Sequence, residues 1–149
     1  MKKILSLCLV VWLAPAWADR DKGTVAPAVY VQECGSCHVA FCAHLLPKPS
    51  WSRILQNLER HYGSDASLDA ATQKQIHDWL QAQGGQGKRA REAPPDDRIT
   101  RAAWFERKHR SISAATFKRA SIKSPVNCAA CHPDAAKGDF EDDAVRIPK

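Results

Sequence analysis

Two stretches in the first part of the chain repeat apolar residues at helical spacing. Residues 51–63, WSRILQNLERHYG, follow Ser50, a typical helix cap, and end at a glycine typical of a helix stop. Their apolar stripe consists of Trp51, Ile54, Leu55, Leu58 and Tyr62. A second helix is predicted from a cap at Ser67 to residue 85. Its buried face consists of Leu68, Thr72, Ile76, Trp79 and Leu80.

The later part of the chain has weaker periodicity. A third helix is predicted from about Thr100 through the segment ITRAAWFERKHRSI, and a shorter one around AATFKRAS, residues 114–121. Four residues share one face of the third helix: Ala102, Phe105, His109 and Ile112. The acidic tail, residues 137–149, is predicted to be irregular and held down by Phe140, Val145 and Ile147. Because no series of strands is evident, the fold is predicted to be mainly α.

The N-terminus has the pattern of an export signal. Lys2 and Lys3 precede an eleven-residue apolar run, residues 4–14, and an A-x-A cleavage site ends at Ala18. The run is shorter than the roughly 18 apolar residues that identify a membrane-spanning helix. We therefore expect residues 1–18 to be a cleaved signal peptide and the other 131 of the 149 residues to be periplasmic.

A five-residue motif occurs twice, as CGSCH at residues 34–38 and as CAACH at residues 128–132. Two cysteines at this spacing can bond the two vinyl groups of one porphyrin, and the histidine behind them can bind its iron. We therefore predict two covalent haem c groups. The predicted thioether residues are Cys34, Cys37, Cys128 and Cys131, and the predicted proximal iron ligands are His38 and His132.

Other uses of these cysteines fit less well. A thioredoxin-like pair needs a βαβ context, and zinc ribbons separate their cysteine pairs by about 15–20 residues. These motifs, in contrast, begin ninety-four residues apart. Disulfides would leave the repeated histidine unexplained, and five cysteines, an odd number, remain after residues 1–18 are removed. Haem attachment therefore explains the motifs better than the alternatives do.

The second axial ligand of each iron is expected to be a histidine. Met1 is the only methionine, so none remains after cleavage for the Met/His ligation that raises the potential of other cytochromes c. His109 lies on the apolar face of the third predicted helix, and His61 lies at the margin of the first stripe. We predict these two as distal ligands, with His44 and then His77 as alternatives.

Spacing favours local pairs of histidines. His38 and His61 are 23 residues apart, and so are His109 and His132 in the reverse order. A crossed pairing stays open. The chain is thus predicted to be a small cytochrome c-like helical protein with two haem-bearing halves. Its divisions are a first half at residues 19–83, a Gly/Pro/charged linker at 84–98, and a second half with the acidic tail at 99–149.

Charge is concentrated in the middle of the chain. Residues 86–123 carry 11 basic and 4 acidic groups, a net charge of +7, whereas residues 19–85 carry −1 and residues 124–149 carry −2. A basic surface can steer an acidic redox partner into contact. Nucleic-acid binding is not expected of an exported haem protein.

Several segments resemble the bacterial dihaem cytochrome c family, from about Glu33 to Pro148. They are ECGSCHVAF, LLPKPSW, ERHYGSDASLD, WFERKHR, NCAACH and GDFEDDAVRIP. The resemblance implies bis-histidine ligation, with His61 and His109 matching the family's non-motif histidines. It also implies electron donation to a small oxygen-binding monohaem cytochrome c and coupling to a membrane cytochrome b of the b561 type.

One departure from the family pattern is FCAH at residues 41–44, where a proline-rich turn is expected. Cys42 could form an intermolecular disulfide, pack as a small apolar group, or bind a metal together with His44. The expected function is a periplasmic electron carrier, not an enzyme, because iron with two imidazole ligands has no vacant site for a substrate. The alternative is a small peroxidase or reductase with one five-coordinate haem, and a haem-based sensor ranks below both.

Overall fold

The structure, a computed structural model, describes residues 25–85 and 87–149, so the predicted signal peptide lies outside it. Within these ranges the α-helices are α1 Ala28–Cys34, α2 Lys48–Leu55, α3 Ala70–Gln83, α4 Ala103–Lys108 and α5 Ala114–Phe117. The 3-10 turns are Ala43–Leu45, Leu58–Arg60, Lys88–Ala90, Pro95–Asp97, Ile99–Arg101, Cys128–Ala130, Ala135–Lys137 and Asp142–Ala144. The described residues contain no strand beyond one isolated β-bridge. The mainly α prediction is confirmed.

Helix α2 begins earlier than the sequence pattern predicted. It starts at Lys48, with Pro47 as its N-cap and Pro49 at its second position. Proline fits the first turn of a helix because the backbone N–H groups there have no partner within the helix. Ser50 is consequently a fully buried helical residue, and the prediction that it caps the helix is wrong.

The same helix also ends earlier than predicted. It stops at Leu55, and the 3-10 turn Leu58–Arg60 then leads to His61. Tyr62 and Gly63 have φ angles of 53° and 101°, so the chain reverses there in a left-handed conformation. His61 therefore projects from a turn, not from the face of a continuous helix.

Helix α3 is confirmed, with a different cap. Asp69, not Ser67, is its N-cap, and its carboxylate accepts hydrogen bonds from the N–H groups of Ala71 and Thr72, both at 3.0 Å. Asp and Ser are about equally good N-caps, so residue type alone did not decide between them. Of the predicted buried face, Ile76 and Leu80 are fully buried, and Leu68, Thr72 and Trp79 are half-buried.

The third predicted helix is broken near its start. Ala102 is extended, with φ −68° and ψ 137°, so helix α4 covers only Ala103–Lys108 and His109 lies just beyond its end. Ile99 belongs to the core around α2 and α3, whereas Phe105 is buried outside that core. Because the chain is extended at Ala102, Ile99 can pack in the main core while Phe105 is buried outside it.

The C-terminal elements are short, and the tail folds back on the second motif. The predicted helix around residues 114–121 is confirmed as the shorter α5. In the tail, Phe140 and Val145 are half-buried, but Ile147 is 45% exposed, so its predicted anchoring role is wrong. A backbone hydrogen bond from Arg146 N–H to Cys131 O, at 2.8 Å, holds the tail instead.

The main hydrophobic core lies in the first half, where α2 packs on α3. Its buried residues are Tyr30, Ala43, Leu45, Leu46, Trp51, Leu55, Ile76, Leu80 and Ile99. The Trp51 indole N–H donates to Ala43 O at 2.7 Å, so this large side chain is buried without losing its hydrogen bond. Gly84 permits a close approach, because a Cβ there would lie 2.9 Å from Trp51 Cδ1.

The predicted linker packs against the first half. The Arg53 guanidinium of α2 donates two hydrogen bonds to the Asp97 carboxylate, at 2.8 and 2.7 Å, and holds the pKa of that group below its usual value. The Tyr62 hydroxyl donates to Asp96 O at 3.0 Å. We call residues 84–98 the strap. The division of the chain into two halves stays a prediction.

The part of the chain that the structure describes contains no helix with the length and apolar character needed to cross a bilayer.

Candidate haem-binding sites

The two motifs are placed on different local structures. Cys34 is the last residue of α1, and Cys37 lies in the turn that follows. Cys128, in contrast, begins the 3-10 turn Cys128–Ala130, and the His132 N–H donates to Cys128 O at 2.8 Å. Both backbone arrangements bring two thiols and one imidazole into a short turn, so the motif does not depend on a continuous helix.

Burial disfavours the thiolate form of the first cysteine of each motif. It raises the pKa of both the Cys34 and the Cys128 thiol to about 11, and the Glu33 charge adds to the effect at Cys34. Cys34 and Cys128 are half-buried, whereas Cys37 is exposed. The first cysteine of each motif therefore lies in a partly apolar setting, which suits contact with the edge of a porphyrin.

The ring of His38 is held on two sides. Its Nδ1 lies 2.8 Å from Val39 O. Because the carbonyl can only accept, Nδ1 is the donor, and the lone pair of Nε2 is left free. The ring also stacks on Phe41, with centroids 4.7 Å apart and planes 29° apart. The nitrogen available to a metal is therefore fixed in both identity and direction.

The His61 ring lies near the His38 ring, with centroids 6.4 Å apart and planes 23° apart. The turn after α2 brings it there, and the His61 N–H donates to Leu58 O at 3.2 Å. Burial lowers the pKa of His61, and the charges of His38 and Arg98 add smaller contributions. His61 is therefore neutral at physiological pH, the form that binds metals.

His109 and His132 form a second pair of neighbouring rings, with centroids 6.2 Å apart and planes 73° apart. The His109 Nδ1 lies 2.9 Å from Phe105 O, and its ring stacks on Phe105 with centroids 4.0 Å apart. His132 meets Phe140 of the tail edge-on at 5.4 Å. Burial, and then the charge of His109, lowers the pKa of His132, so this ring is also neutral.

Both spacings fit two axial ligands of one iron. A ligating imidazole nitrogen lies about 2 Å from its metal and about 1.1 Å from its own ring centre, so two rings on opposite sides of one ion have centroids about 6.2 Å apart. The observed values are 6.4 and 6.2 Å. A porphyrin bound between the rings would supply four further nitrogens, so the two imidazoles of each pair could complete the coordination of its iron.

One buried polar atom also fits a haem near the second pair. In residues 25–85 and 87–149, Trp104 Nε1 and His132 Nδ1 are the buried side-chain nitrogens and oxygens that lack a hydrogen-bond partner. Leaving such a group unpaired costs about 1–3 kcal/mol. Trp104 lies beside Phe105, with ring centroids 6.0 Å apart. A haem propionate is an acceptor of the kind that the Trp104 N–H requires.

A family model for dihaem cytochrome c matches residues 30–140. The chain belongs to the dihaem cytochrome c family. The predicted resemblance is therefore confirmed, and so is the prediction of two haem c groups. Membership of the family makes this chain an electron-carrier cytochrome.

Solved structures of this family show the same fold. A dihaem cytochrome c from Shewanella baltica OS155 is 38% identical, with a TM-score of 0.70, and the alignment covers 81% of this chain and 92% of that one. Two structures from Rhodobacter sphaeroides are 38% and 36% identical, with TM-scores of 0.66 and 0.68, and each alignment covers 78% of this chain and 98% of the other. No curated protein matches the chain in sequence.

The cytochrome brings together the predicted local histidine pairs. His61 is the histidine paired with His38, and His109 is the one paired with His132, at centroid distances of 6.4 and 6.2 Å. His77, an alternative, lies on α3 with its Nε2 3.4 Å from Ser52 Oγ. The other alternative, His44, lies in the turn Ala43–Leu45. The roles of the predicted thioether cysteines and histidines as haem ligands stay predictions.

Cys42 lies at the edge of the main core. It is half-buried against the core of the first half, and a Cβ on Gly138 of the tail would lie 3.5 Å from its Sγ. This position is compatible with packing as a small apolar group, and the three fates expected for Cys42 stay predictions.

Aromatic rings hold two of the histidines, and neither of these contacts was predicted from the sequence. Phe105 precedes His109 by four residues on one helical turn, so its contact with that histidine follows from a known spacing. Phe41 stacks on His38 across an irregular turn, where no periodic pattern exists. The first contact was therefore open to prediction, and the second was not.

Proposed function

We propose that this cytochrome is a periplasmic electron carrier with two low-spin haems, each with two histidine axial ligands. His38 and His61 are the ligands of the haem attached through Cys34 and Cys37. His132 and His109 are the ligands of the haem attached through Cys128 and Cys131.

The spacing of the two ring pairs carries this proposal. Centroid separations of 6.4 and 6.2 Å agree with the roughly 6.2 Å expected of two imidazoles on one iron. Each pair also joins a motif histidine to a histidine outside the motifs, as one iron per motif requires. The five-coordinate alternative would leave one iron with a single imidazole, and the presence of a second histidine ring 6.4 or 6.2 Å from each motif histidine argues against it.

The contribution of the protein side chains to this function is to keep the iron ligands in fixed positions. Each haem iron supplies a one-electron couple between its ferric and ferrous states. Because His38 and His109 are fixed by hydrogen bonds to Val39 O and Phe105 O, neither ligand has to turn when the charge changes. Partial burial of His61 and His132 lowers the pKa of both rings, which favours the neutral form, and would limit water at a bound iron. Small rearrangement and an apolar setting both favour electron transfer over substrate chemistry.

Absorption spectroscopy of the purified holoprotein tests the ligand assignment. We expect low-spin spectra in both oxidation states and no change when carbon monoxide is added to the fully reduced protein. Reduced protein that binds one carbon monoxide molecule rapidly would contradict the proposal. That result would favour the alternative of a small peroxidase or reductase with an open haem.

We further propose that electrons arrive from a membrane cytochrome b of the b561 type and leave to a small monohaem cytochrome c. All eleven lysines and arginines of residues 86–123 are exposed, which supports steering of an acidic partner by this surface. Electron-transfer contacts of this kind are small and brief.

Stopped-flow oxidation of the reduced protein by an acidic monohaem cytochrome c tests the steering proposal. The rate should fall steeply as ionic strength rises, since exposed charges are screened over about 10 Å at 0.1 M salt. A rate that is independent of salt would remove the proposed role of the basic surface and leave the ligand assignment untouched.

A further inference from the structure

We infer that the two haems have different axial geometries, with nearly parallel imidazole planes in the first half and nearly perpendicular planes in the second, and that Phe41 and Phe105 set these orientations. The inference rests on the histidine pairs of the proposed function. It assigns to the two phenylalanines the role of positioning residues that act on the irons through the histidines.

Orientation, not distance, distinguishes the two sites. The pair separations differ by only 0.2 Å, at 6.4 and 6.2 Å. The ring planes are 23° apart for His38 and His61, but 73° apart for His109 and His132. Any property of the iron that depends on ligand orientation should therefore differ between haems whose ligand atoms are identical.

In the first half, Phe41 fixes the plane of His38. The two rings are within 29° of parallel, and the His38 Nδ1 is bonded to Val39 O at 2.8 Å. Phe41 itself packs against the core, and its carbonyl accepts a hydrogen bond from the buried Tyr30 hydroxyl at 2.6 Å. Rotation of the His38 ring would therefore break a hydrogen bond and a stack that is anchored to the core.

In the second half, Phe105 fixes the plane of His109. The rings are 20° from parallel at 4.0 Å, and the carbonyl of the same Phe105 accepts the hydrogen bond from His109 Nδ1 at 2.9 Å. Phe105 is buried, so it cannot follow a turning imidazole. On the opposite side, Phe140 meets His132 at 64°, which makes an edge contact and not a stack.

The angle between the planes decides the electronic structure of ferric iron. The π orbital of an imidazole overlaps one of two d orbitals that are otherwise nearly equal in energy. Parallel rings both act on the same d orbital, which separates the two orbitals and fixes the direction of the unpaired electron. Perpendicular rings act on different orbitals and leave them close in energy. The first haem is thus expected to hold its unpaired electron along a defined direction, and the second is not.

Electron paramagnetic resonance of the oxidised holoprotein near liquid-helium temperature tests this inference. We expect two low-spin signals of equal spin concentration. One should be a rhombic signal with three resolved g values, from the first haem. The other should show a single low-field feature at larger g, from the second haem.

Matched variants assign the signals. Phe105→Leu should shift the low-field feature towards the rhombic position and leave the rhombic signal unchanged. Phe41→Leu should shift only the rhombic signal. Phe105→Tyr keeps a stacked ring and should leave both signals in place. If Phe105→Leu fails to fold, the spectra of the wild type and of Phe105→Tyr still test the inference.

The outcomes separate this inference from the proposed function. Two low-spin signals of the same kind would overturn the inference and leave the histidine pairs standing. A shift of the rhombic signal in Phe105→Leu would overturn the assigned positioning role. A high-spin signal in the wild type would overturn the proposed pairs and, with them, the inference.

Discussion

The two halves contain similar histidine pairs, but they differ in the length of their helices and in the size of the hydrophobic core around each pair. Eight of the nine residues of the main core belong to the first half, which also contains the 14-residue helix α3. The second half has helices of 6 and 4 residues. It contributes Ile99 to the main core, and its remaining buried apolar residues are Ala102, Phe105, Ile122 and Ala135. Helices this short are not stable in water without packing. The second half should therefore depend on its haem for folding more than the first half does.

The largest expected effect comes from removing one haem at a time. The double variant Cys128→Ala, Cys131→Ala should lose one haem and also lose amide-exchange protection across most of residues 99–149, down to the level of an unfolded chain. The variant Cys34→Ala, Cys37→Ala should likewise lose one haem, but α2 and α3 should keep partial protection because their core remains. Mass spectrometry gives the haem count, and hydrogen exchange gives the local stability.

Cys42→Ala is the matched control for these variants. It removes a half-buried cysteine outside both motifs, so both haems and both protection patterns should be retained. Equal loss of protection in both halves, or a second half that stays protected without its haem, would show that the difference in core size does not control folding.

The next largest effect concerns the histidines outside the motifs. His61→Ala and His109→Ala should each open one iron, so that the reduced protein binds one carbon monoxide molecule instead of none. His109→Ala should also destabilise its half more, because it removes the stack and the hydrogen bond with Phe105, whereas His61 lies in a turn beside the exposed Tyr62. Absorption spectra and thermal melting measure the two effects.

His77→Ala serves as the control, since that histidine lies on α3 against Ser52 and is not expected to bind iron. Carbon monoxide binding by His77→Ala, or its absence in either of the other two variants, would contradict the pairing.

The sequence predicted the chemistry of the sites better than the limits of the helices. Motif spacing identified the haem sites, and periodicity identified the buried positions Ile76 and Leu80, because both are local properties of the chain. Helix ends were placed wrongly where tertiary contacts decide them. Ser50 is buried within α2, and Ile99 joins a core made mostly by the first half, ahead of the extended Ala102.

The same contrast applies to the candidate sites. The apolar face that holds Phe105 and His109 pointed to one distal ligand, and a missing methionine pointed to histidine for both. The angle between two rings contributed by distant segments has no local signature. It depends on how Phe41 meets His38 and on how the tail brings Phe140 to His132. Those contacts form only when the chain has folded.

A smaller effect is expected where the strap ties the second half to the first. Asp97→Asn weakens the pair with Arg53 and should lower the Tm at neutral pH by a few degrees. Asn is the suitable replacement because residue 97 has a φ of 55°, which Asn tolerates better than most residues. If the strap couples the halves, the variant should also broaden the thermal transition.

The pH dependence of Asp97→Asn has a definite sign. Arg53 holds the pKa of Asp97 below its usual 3.8, so the stabilisation is present above that value and is lost as the pH falls through the folded-state pKa. The difference in Tm between wild type and variant should therefore shrink below about pH 4. Asp78→Asn is the control, because its ion pair with Lys74 has both members largely exposed and should contribute less. A Tm difference that persists at low pH would contradict the assigned ion pair.

The smallest effect is expected from single surface charges. Comparing one charge in each half tests whether the two halves differ in their electrostatic attraction for a charged reactant. Lys118→Gln, in the basic segment, should slow oxidation of the reduced protein by hexacyanoferrate(III), a small anion, by about two-fold at low ionic strength. Lys48→Gln removes the same charge from the exposed start of α2 and should change the rate less. Because both side chains are exposed, neither substitution should alter the fold.

Raising the salt concentration should remove the difference in oxidation rate between the two variants, since screening weakens the field of the whole surface. Equal slowing by both substitutions would mean that the anion responds to net charge alone, and the basic segment would then have no steering role of its own.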